Sequence, residues 1–120
     1  MTRLVIADDS DDIRMLVRLL VTADPEYKVV AEAATPEETI DAVREHKPDA
    51  IVLDQSFNTE RTGLDIAPEL RELSPATKIL LFSAYQRLEG DATENDAVDA
   101  FLLKTKTTEL LPTIQRLVNS

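Results

Sequence analysis

Short apolar runs alternate with longer segments of helical period along this chain. Arg3 to Ala7 carries Leu4-Val5-Ile6-Ala7 and predicts a buried strand. From Asp11 to Ala23, Ile13, Leu16, Val17 and Leu20 share one helical face, while Asp11, Asp12, Arg14 and Arg18 lie off it. That stripe predicts an amphipathic helix. After Asp24-Pro25, the run Lys28 to Ala33 predicts a second strand. Thr35-Pro36-Glu37-Glu38 opens a second helix: Thr35 can cap, Pro36 suits the first helical position, and Glu38 stands where a capping box needs its acid.

A third strand is predicted over Ala50 to Asp54, preceded by Lys47-Pro48. The loop from Gln55 to Thr62 leads to a helix with Ile66, Leu70 and Leu73 inward, which Ser74-Pro75 ends. Lys78 to Ser83 is a fourth strand. Tyr85 to Val98 is polar, holds Gly90 and offers few apolar positions, so a poorly anchored fourth helix is expected there. Ala100 to Leu103 is a short fifth strand, and Thr107 to Asn119 a last helix with Leu110, Leu111, Ile114, Leu117 and Val118 as its apolar face. Five strand-helix units without an internal repeat predict an α/β fold, a doubly wound parallel sheet flanked by five helices.

The 120 residues suffice for one hydrophobic core, so residues 1–120 are expected to form a single domain. Hydrophobic residues are 43% and charged residues 30%, the balance of a globular rather than a disordered chain. No apolar run approaches the roughly 20 residues of a membrane span, no signal pattern opens the chain, and there is no cysteine for a disulfide or thiolate site. A cytoplasmic protein without membrane contact is expected. Asp and Glu outnumber Lys and Arg by 23 to 13, a formal charge of −10, which repels phosphate backbones and argues against direct nucleic-acid binding.

Charged and hydroxyl residues stand at the carboxyl ends of the predicted strands: Asp8 and Asp9 after the first, Asp54 at the third, Ser83 at the fourth and Lys104 after the fifth. In an open parallel sheet those ends share one edge. Three carboxylates gathered there repel one another until a cation joins them, and an all-oxygen set suits Mg²⁺, or Mn²⁺ in its place, better than Zn²⁺. Such a site can carry phosphoryl transfer, with Asp54 as nucleophile, Lys104 as a phosphate-binding ammonium and Ser83 as a hydroxyl donor. Taken singly, Asp8, Asp9 and Ser10 read as helix-capping residues, Asp54 as a turn residue, Lys104 as a solvated charge and Phe101 as a core aromatic. Their coincidence at matching strand ends favours the site. His46, in Arg44-Glu45-His46-Lys47, reads as a surface histidine at a helix C-terminus, and Glu60 and Arg61 as solvated loop charges.

At these residues the chain resembles, over its full length, the receiver domain of two-component response regulators. Asp8 and Asp9 match that family's acidic pair, Asp54 its phosphoacceptor, Ser83-Ala84 its switch hydroxyl and following alanine, Lys104 its lysine, and Phe101 its switch aromatic. The resemblance implies a flavodoxin-like sheet of strand order 2-1-3-4-5. It also implies Mg²⁺ ligated by Asp9, Asp54 and the Ser56 backbone carbonyl, with Asp8 acting mainly through water. The implied donor is a phosphohistidine on a sensor histidine kinase or phosphotransfer protein, and the implied output a downstream protein or an output domain absent from this chain. Receivers catalyse only their own phosphorylation and dephosphorylation, so the implied role is a signalling switch rather than a metabolic enzyme, with Ser56 and Tyr85 at the positions that tune phosphoaspartate lifetime. Ser83 would move toward the phosphoryl group while Phe101 turns inward, altering the surface of the fourth helix, fifth strand and fifth helix.

Several positions depart from the family pattern. The Met-Pro that usually follows the phosphoacceptor is missing from Gln55-Ser56-Phe57-Asn58-Thr59-Glu60-Arg61-Thr62, and Gly63 comes about one residue late. Thr105 replaces the proline that commonly follows the lysine, so a trans peptide is expected there, a cis bond costing roughly 3 kcal/mol more than before proline. Ala97-Val98 stands where a Gly-Ala pair is usual, and the ending from Leu-Leu-Lys to Glu109-Leu110 is similar to receivers joined to helix-turn-helix outputs. Two other readings remain beside the receiver: a pseudo-receiver that binds partners without phosphorylation, and an aspartate-nucleophile phosphatase of the haloacid dehalogenase type. The latter needs a second aspartate where this chain has Ser56. Two glycines and no Ser/Thr-rich phosphate loop leave nothing to cradle a flavin phosphate.

Overall fold

Side chains alternate across the strands and sort into two cores, one on each face of a single sheet. A computed structural model describes residues 1–119. Its elements are β1 (Thr2–Ala7), α1 (Asp11–Val21), β2 (Tyr27–Ala33), α2 (Pro36–His46), β3 (Ala50–Asp54), α3 (Gly63–Leu73), β4 (Lys78–Ser83), α4 (Glu89–Glu94), β5 (Ala100–Leu103) and α5 (Leu110–Val118). The strands are parallel in the order β2-β1-β3-β4-β5. Leu4, Ile6, Val52, Leu80 and Phe82 pack with α1 and α5 residues Val17, Val21, Leu110 and Ile114. Val5, Ile51, Leu53, Ile79 and Leu81 pack against Ile40 and Val43 of α2, Ile66 and Leu70 of α3, and Ala92 of α4. Because both faces are covered, the central strands are apolar throughout, and β3 is buried at every position.

Three helices differ from their sequence expectation. On α1, Val17 and Val21 are buried, whereas Leu16 is 37% exposed and stands with Met15 and Leu19 at the surface. The run from Met15 to Val21 holds more apolar residues than one helical face can use: Ile13, Val17 and Leu20 of the expected stripe pack on the core, and Val21 rather than Leu16 completes it. At α2, Thr35 caps by accepting from Glu38 N–H at 3.1 Å, but the Glu38 carboxylate accepts from Ala34 N–H at 2.8 Å rather than from the cap residue, so the box is not closed. The expected fourth helix is a 3₁₀ turn over Gln86–Leu88 followed by the six residues of α4, of which only Ala92 is buried.

Pro68 lies inside α3, where it has no N–H for the Leu64 carbonyl. Asn95 Nδ2, just beyond α4, donates to that carbonyl at 3.4 Å. Arg71 of α3 donates to the Thr77 and Ala97 carbonyls and pairs with Asp99 at 2.6 Å, and the same Asp99 oxygen accepts from Ile79 N–H at 2.7 Å. The far end of α4 is therefore tied to α3 and β4, while its near end, toward Tyr85, has no comparable anchor among the described residues. Every peptide bond among the described residues is trans, including that before Thr105.

Candidate functional site

Strand order reverses between β1 and β3, which opens a crevice at their carboxyl ends. The register levels the strands there: Ala7 pairs with Leu53, Asp54 with Phe82 and Ser83 with Leu103. Asp8 follows β1, Asp54 closes β3, Ser83 closes β4 and Lys104 follows β5, with Lys104 N–H donating to the Ser83 carbonyl at 2.8 Å. A cavity of about 170 Å³ lies over this edge, lined by Asp9, Asp54, Gln55, Ser56, Ser83, Ala84, Tyr85 and Lys104.

Lys104 Nζ bridges two buried carboxylates, at 2.8 Å from Asp8 and 2.9 Å from Asp54. Asp8, Asp9 and Asp54 each offer an oxygen within 4.8 Å of the others. Burial pushes the Asp54 carboxyl up to about 6, with the Asp8 charge adding to the rise and Lys104 and the Ser56 backbone opposing it. Burial works against the Lys104 ammonium too, but its bonds to Asp8 and Asp54 outweigh that and hold its pKa above the ordinary value. Two of three carboxylates are thus matched to one fixed cation, and negative charge is left over. An all-oxygen set of this size, short of positive charge, fits a hard divalent cation.

The helix-capping reading of the first acidic segment holds for Ser10, with Asp8 supporting its turn, but not for Asp9. Ser10 caps α1 by accepting from Ile13 N–H, and Asp8 Oδ1 accepts from Ser10 N–H at 2.9 Å. Asp8 therefore folds its turn with one oxygen and meets Lys104 with the other. Ser83 Oγ accepts from Tyr85 N–H at 3.1 Å, which leaves its own proton to donate at the cavity. Phe101 is not among the cavity residues. It is half-buried on β5, packed against the core beneath α4, and borders a separate hollow with Ala92, Thr93 and Val98. Arg61 is not a free loop charge: it pairs with Glu69 of α3 at 2.9 Å and is not among the residues lining the cavity. His46 ends α2, partly exposed, and its carbonyl accepts from Arg3.

The loop after Asp54 holds contacts that residue types alone did not signal. Thr62 and Asp65 form a closed capping box on α3. Gly63 N–H donates to the Gln55 carbonyl at 2.9 Å, and Gln55 Oε1 accepts from Leu64 N–H at 2.8 Å. Asn58, at φ 58°, donates Nδ2 to Asp9 Oδ2 at 3.0 Å. Gly63 lies directly against the Asp54 backbone, so the glycine one residue late in sequence still serves as the close-packing point, and the loop absorbs the difference.

A 2-1-3-4-5 sheet with an acidic cluster and a bridging lysine at its switch point defines a flavodoxin-like fold with a metal-competent carboxyl edge. The chain belongs to the response regulator receiver domains of two-component systems, whose family model matches residues 4–115. The oxygen regulatory protein NreC of Staphylococcus haemolyticus is 35% identical over 83 residues, 69% of this chain and 38% of that protein. The chemotaxis protein CheY of Thermotoga maritima is 32% identical over 82 residues, 68% of this chain and 67% of that protein. The chain thus spans little more than a third of NreC's length. Among solved structures, a LuxR-family response regulator from Aurantimonas superposes with a TM-score of 0.90 at 28% identity, covering 99% of this chain and 86% of that one. The response regulator TrrA of Thermotoga maritima, solved in complex with Mg²⁺-BeF, superposes at 0.84 with 26% identity, covering 98% of this chain and 99% of that one. Among the described residues no helix is long and apolar enough to cross a membrane.

Proposed function

We propose that residues 1–120 form one phosphoacceptor switch, in which Asp54 takes a phosphoryl group from the phosphohistidine of a sensor kinase or phosphotransfer protein. The observation that carries this reading is the Lys104 bridge between buried Asp8 and Asp54, with Asp9 completing the carboxylate cluster. Asp8, Asp9, Asp54 and the Ser56 carbonyl would hold Mg²⁺ or Mn²⁺, which supplies positive charge beside the phosphoryl oxygens. An Asp54 oxygen forms the new bond to phosphorus as the donor's nitrogen–phosphorus bond breaks. Lys104 then exchanges its bond to Asp54 for one to a phosphoryl oxygen, and Ser83 donates its hydroxyl proton to another. Phosphorylation shifts the switch only through contacts that differ between its two states. Those are the Ser83 and Lys104 contacts, with Phe101 and the weakly anchored start of α4 as the responding elements. The chain catalyses only its own phosphorylation and dephosphorylation in the cytoplasm. Its output is a protein partner or a domain outside this chain, a reading favoured by the LuxR-family resemblance.

The test is the intact mass after incubation with a small phosphoryl donor. A gain of one phosphoryl group that requires Mg²⁺ is expected. No gain at saturating donor would favour the pseudo-receiver reading, which the departure of the Gln55–Thr62 loop from the family pattern supports.

Lys104→Ala is expected to retain much of the Mg²⁺ affinity and to uncouple phosphorylation from the conformational change. The bound cation can replace the lost counter-charge, but no other side chain in the cavity carries an ammonium. In that variant, amide chemical shifts on α4 and β5 should no longer respond to phosphorylation. A response equal to wild type would refute the role given to Lys104.

A further inference from the structure

The three carboxylates of the cluster are held unevenly. Lys104 clamps Asp8 and Asp54, both buried. Asp9 lies outside that clamp, is more open to water, and faces two neighbours of its own sign. Its side-chain partner is Asn58, which reaches it from a loop 49 residues away in sequence. Asn58 has the left-handed φ of 58°, which asparagine tolerates better than most residues. The base of its loop is pinned by the bonds from Gly63 to Gln55 and from Leu64 to the Gln55 side chain. The amide is therefore presented to Asp9 by a loop anchored at its base.

We propose that Asn58 is a positioning residue for the cation site, whose amide keeps Asp9 turned into the carboxylate cluster before the cation arrives. This rests on the metal-dependent reading above and adds to it a residue outside the ligand set. Mutual repulsion would otherwise turn the exposed Asp9 outward, and metal binding would have to recover it from solvent. A neutral amide is suited to the task because it engages one carboxylate oxygen and leaves the other for the cation. An ammonium at that place would compete with the metal for the same charge. Outer partners of this kind orient ligands and contribute to metal affinity.

The backbone offers a rival account, that asparagine is present only for its left-handed φ. Glycine adopts that φ at least as well and has no side-chain amide, so Asn58→Gly separates the two. Calorimetric titration of Mg²⁺ into the metal-free protein is expected to give a dissociation constant about tenfold weaker for Asn58→Gly than for wild type. The urea midpoint of the metal-free variant should change little. A second readout is independent of the metal: the Asn58 side-chain NH₂ signals in a ¹⁵N spectrum should shift in Asp9→Ala. Equal or tighter Mg²⁺ binding by Asn58→Gly, or NH₂ signals indifferent to Asp9→Ala, overturns the role of Asn58 and leaves the metal site standing. A wild-type protein that binds no Mg²⁺ at millimolar concentration overturns both.

Discussion

Asp54→Asn is expected to abolish the Mg²⁺-dependent gain of a phosphoryl group and, in the metal-free protein at neutral pH, to raise stability. The first effect follows from removing the nucleophilic oxygen. The second follows from burial, which raises the Asp54 carboxyl from 3.8 to about 6 in the folded state. A raised carboxyl binds its proton more tightly when folded. Its stabilising contribution is therefore full below pH 3.8 and is lost as pH rises through about 6. At 1.36 kcal/mol per pKa unit, the ionised carboxylate costs about 3 kcal/mol at pH 7.5. Asparagine escapes that cost, and because a pKa of about 6 already includes the opposing Lys104 charge, a net gain of up to about 3 kcal/mol is expected. Urea unfolding from pH 3.5 to 8 without metal should show the wild type losing ground to the variant between pH 4 and 7, and Mg²⁺ should close the gap. Parallel pH profiles would sink the electrostatic account, and full phosphorylation of the variant would sink the phosphoacceptor assignment.

The central strands and β5 were legible because a buried parallel strand requires a short apolar run, and here the runs of β1, β3, β4 and β5 are each closed by a charge or hydroxyl. Ala50–Asp54, Lys78–Ser83 and Ala100–Leu103 have the bounds that their residues predict. The helices were less legible where apolar residues were too many or too few. On α1 the surplus hid that Val21 rather than Leu16 completes the stripe of Ile13, Val17 and Leu20, a choice made by packing against α5, β1 and β2. Between Tyr85 and Val98 the shortage meant that no periodic pattern marked where α4 ends. Its end is fixed instead by contacts from elsewhere, through Asn95 to Leu64 and Arg71 to Ala97.

The same division runs through the site. Asp8, Asp54, Ser83 and Lys104 were readable because a residue at a strand's carboxyl end has its place set by the sheet. Asn58 was not, since its contact with Asp9 depends on a loop path that no local rule specifies. The loop's order comes from its ends: a capping box at Thr62 and Asp65, and the Gln55 bonds to Gly63 and Leu64. Asp is a less usual partner than Glu or Gln at the far corner of such a box, so residue type marks this one only weakly. Glu38 offered the more usual residue, yet its carboxylate reaches Ala34 instead. Residue type allowed either outcome, and the chain's path into the helix decided it.

The chain has two glycines, and substituting alanine at each is expected to move stability in opposite directions. A Cβ on Gly63 would lie 2.2 Å from the Asp54 carbonyl oxygen, 3.0 Å from its carbon and 3.1 Å from Leu81 Cδ1. Backbone on one side and a fully buried leucine on the other leave no flexible group to give way. The helix start must withdraw from β3 or the end of β3 must shift, and Gly63→Ala should lower stability by about 3 kcal/mol, the upper part of the range for overpacking. Since the displaced backbone belongs to Asp54 itself, the phosphorylation rate should fall with it. Gly90 sits exposed on α4 with nothing within 4 Å of a new Cβ. There alanine simply improves helix propensity, and a gain of about 0.5 kcal/mol is expected. Urea midpoints of the two variants moving the same way would contradict the close approach at Gly63. A Gly63→Ala protein destabilised by the expected amount but phosphorylated at the wild-type rate would show that the strand end holds its geometry and the helix moves.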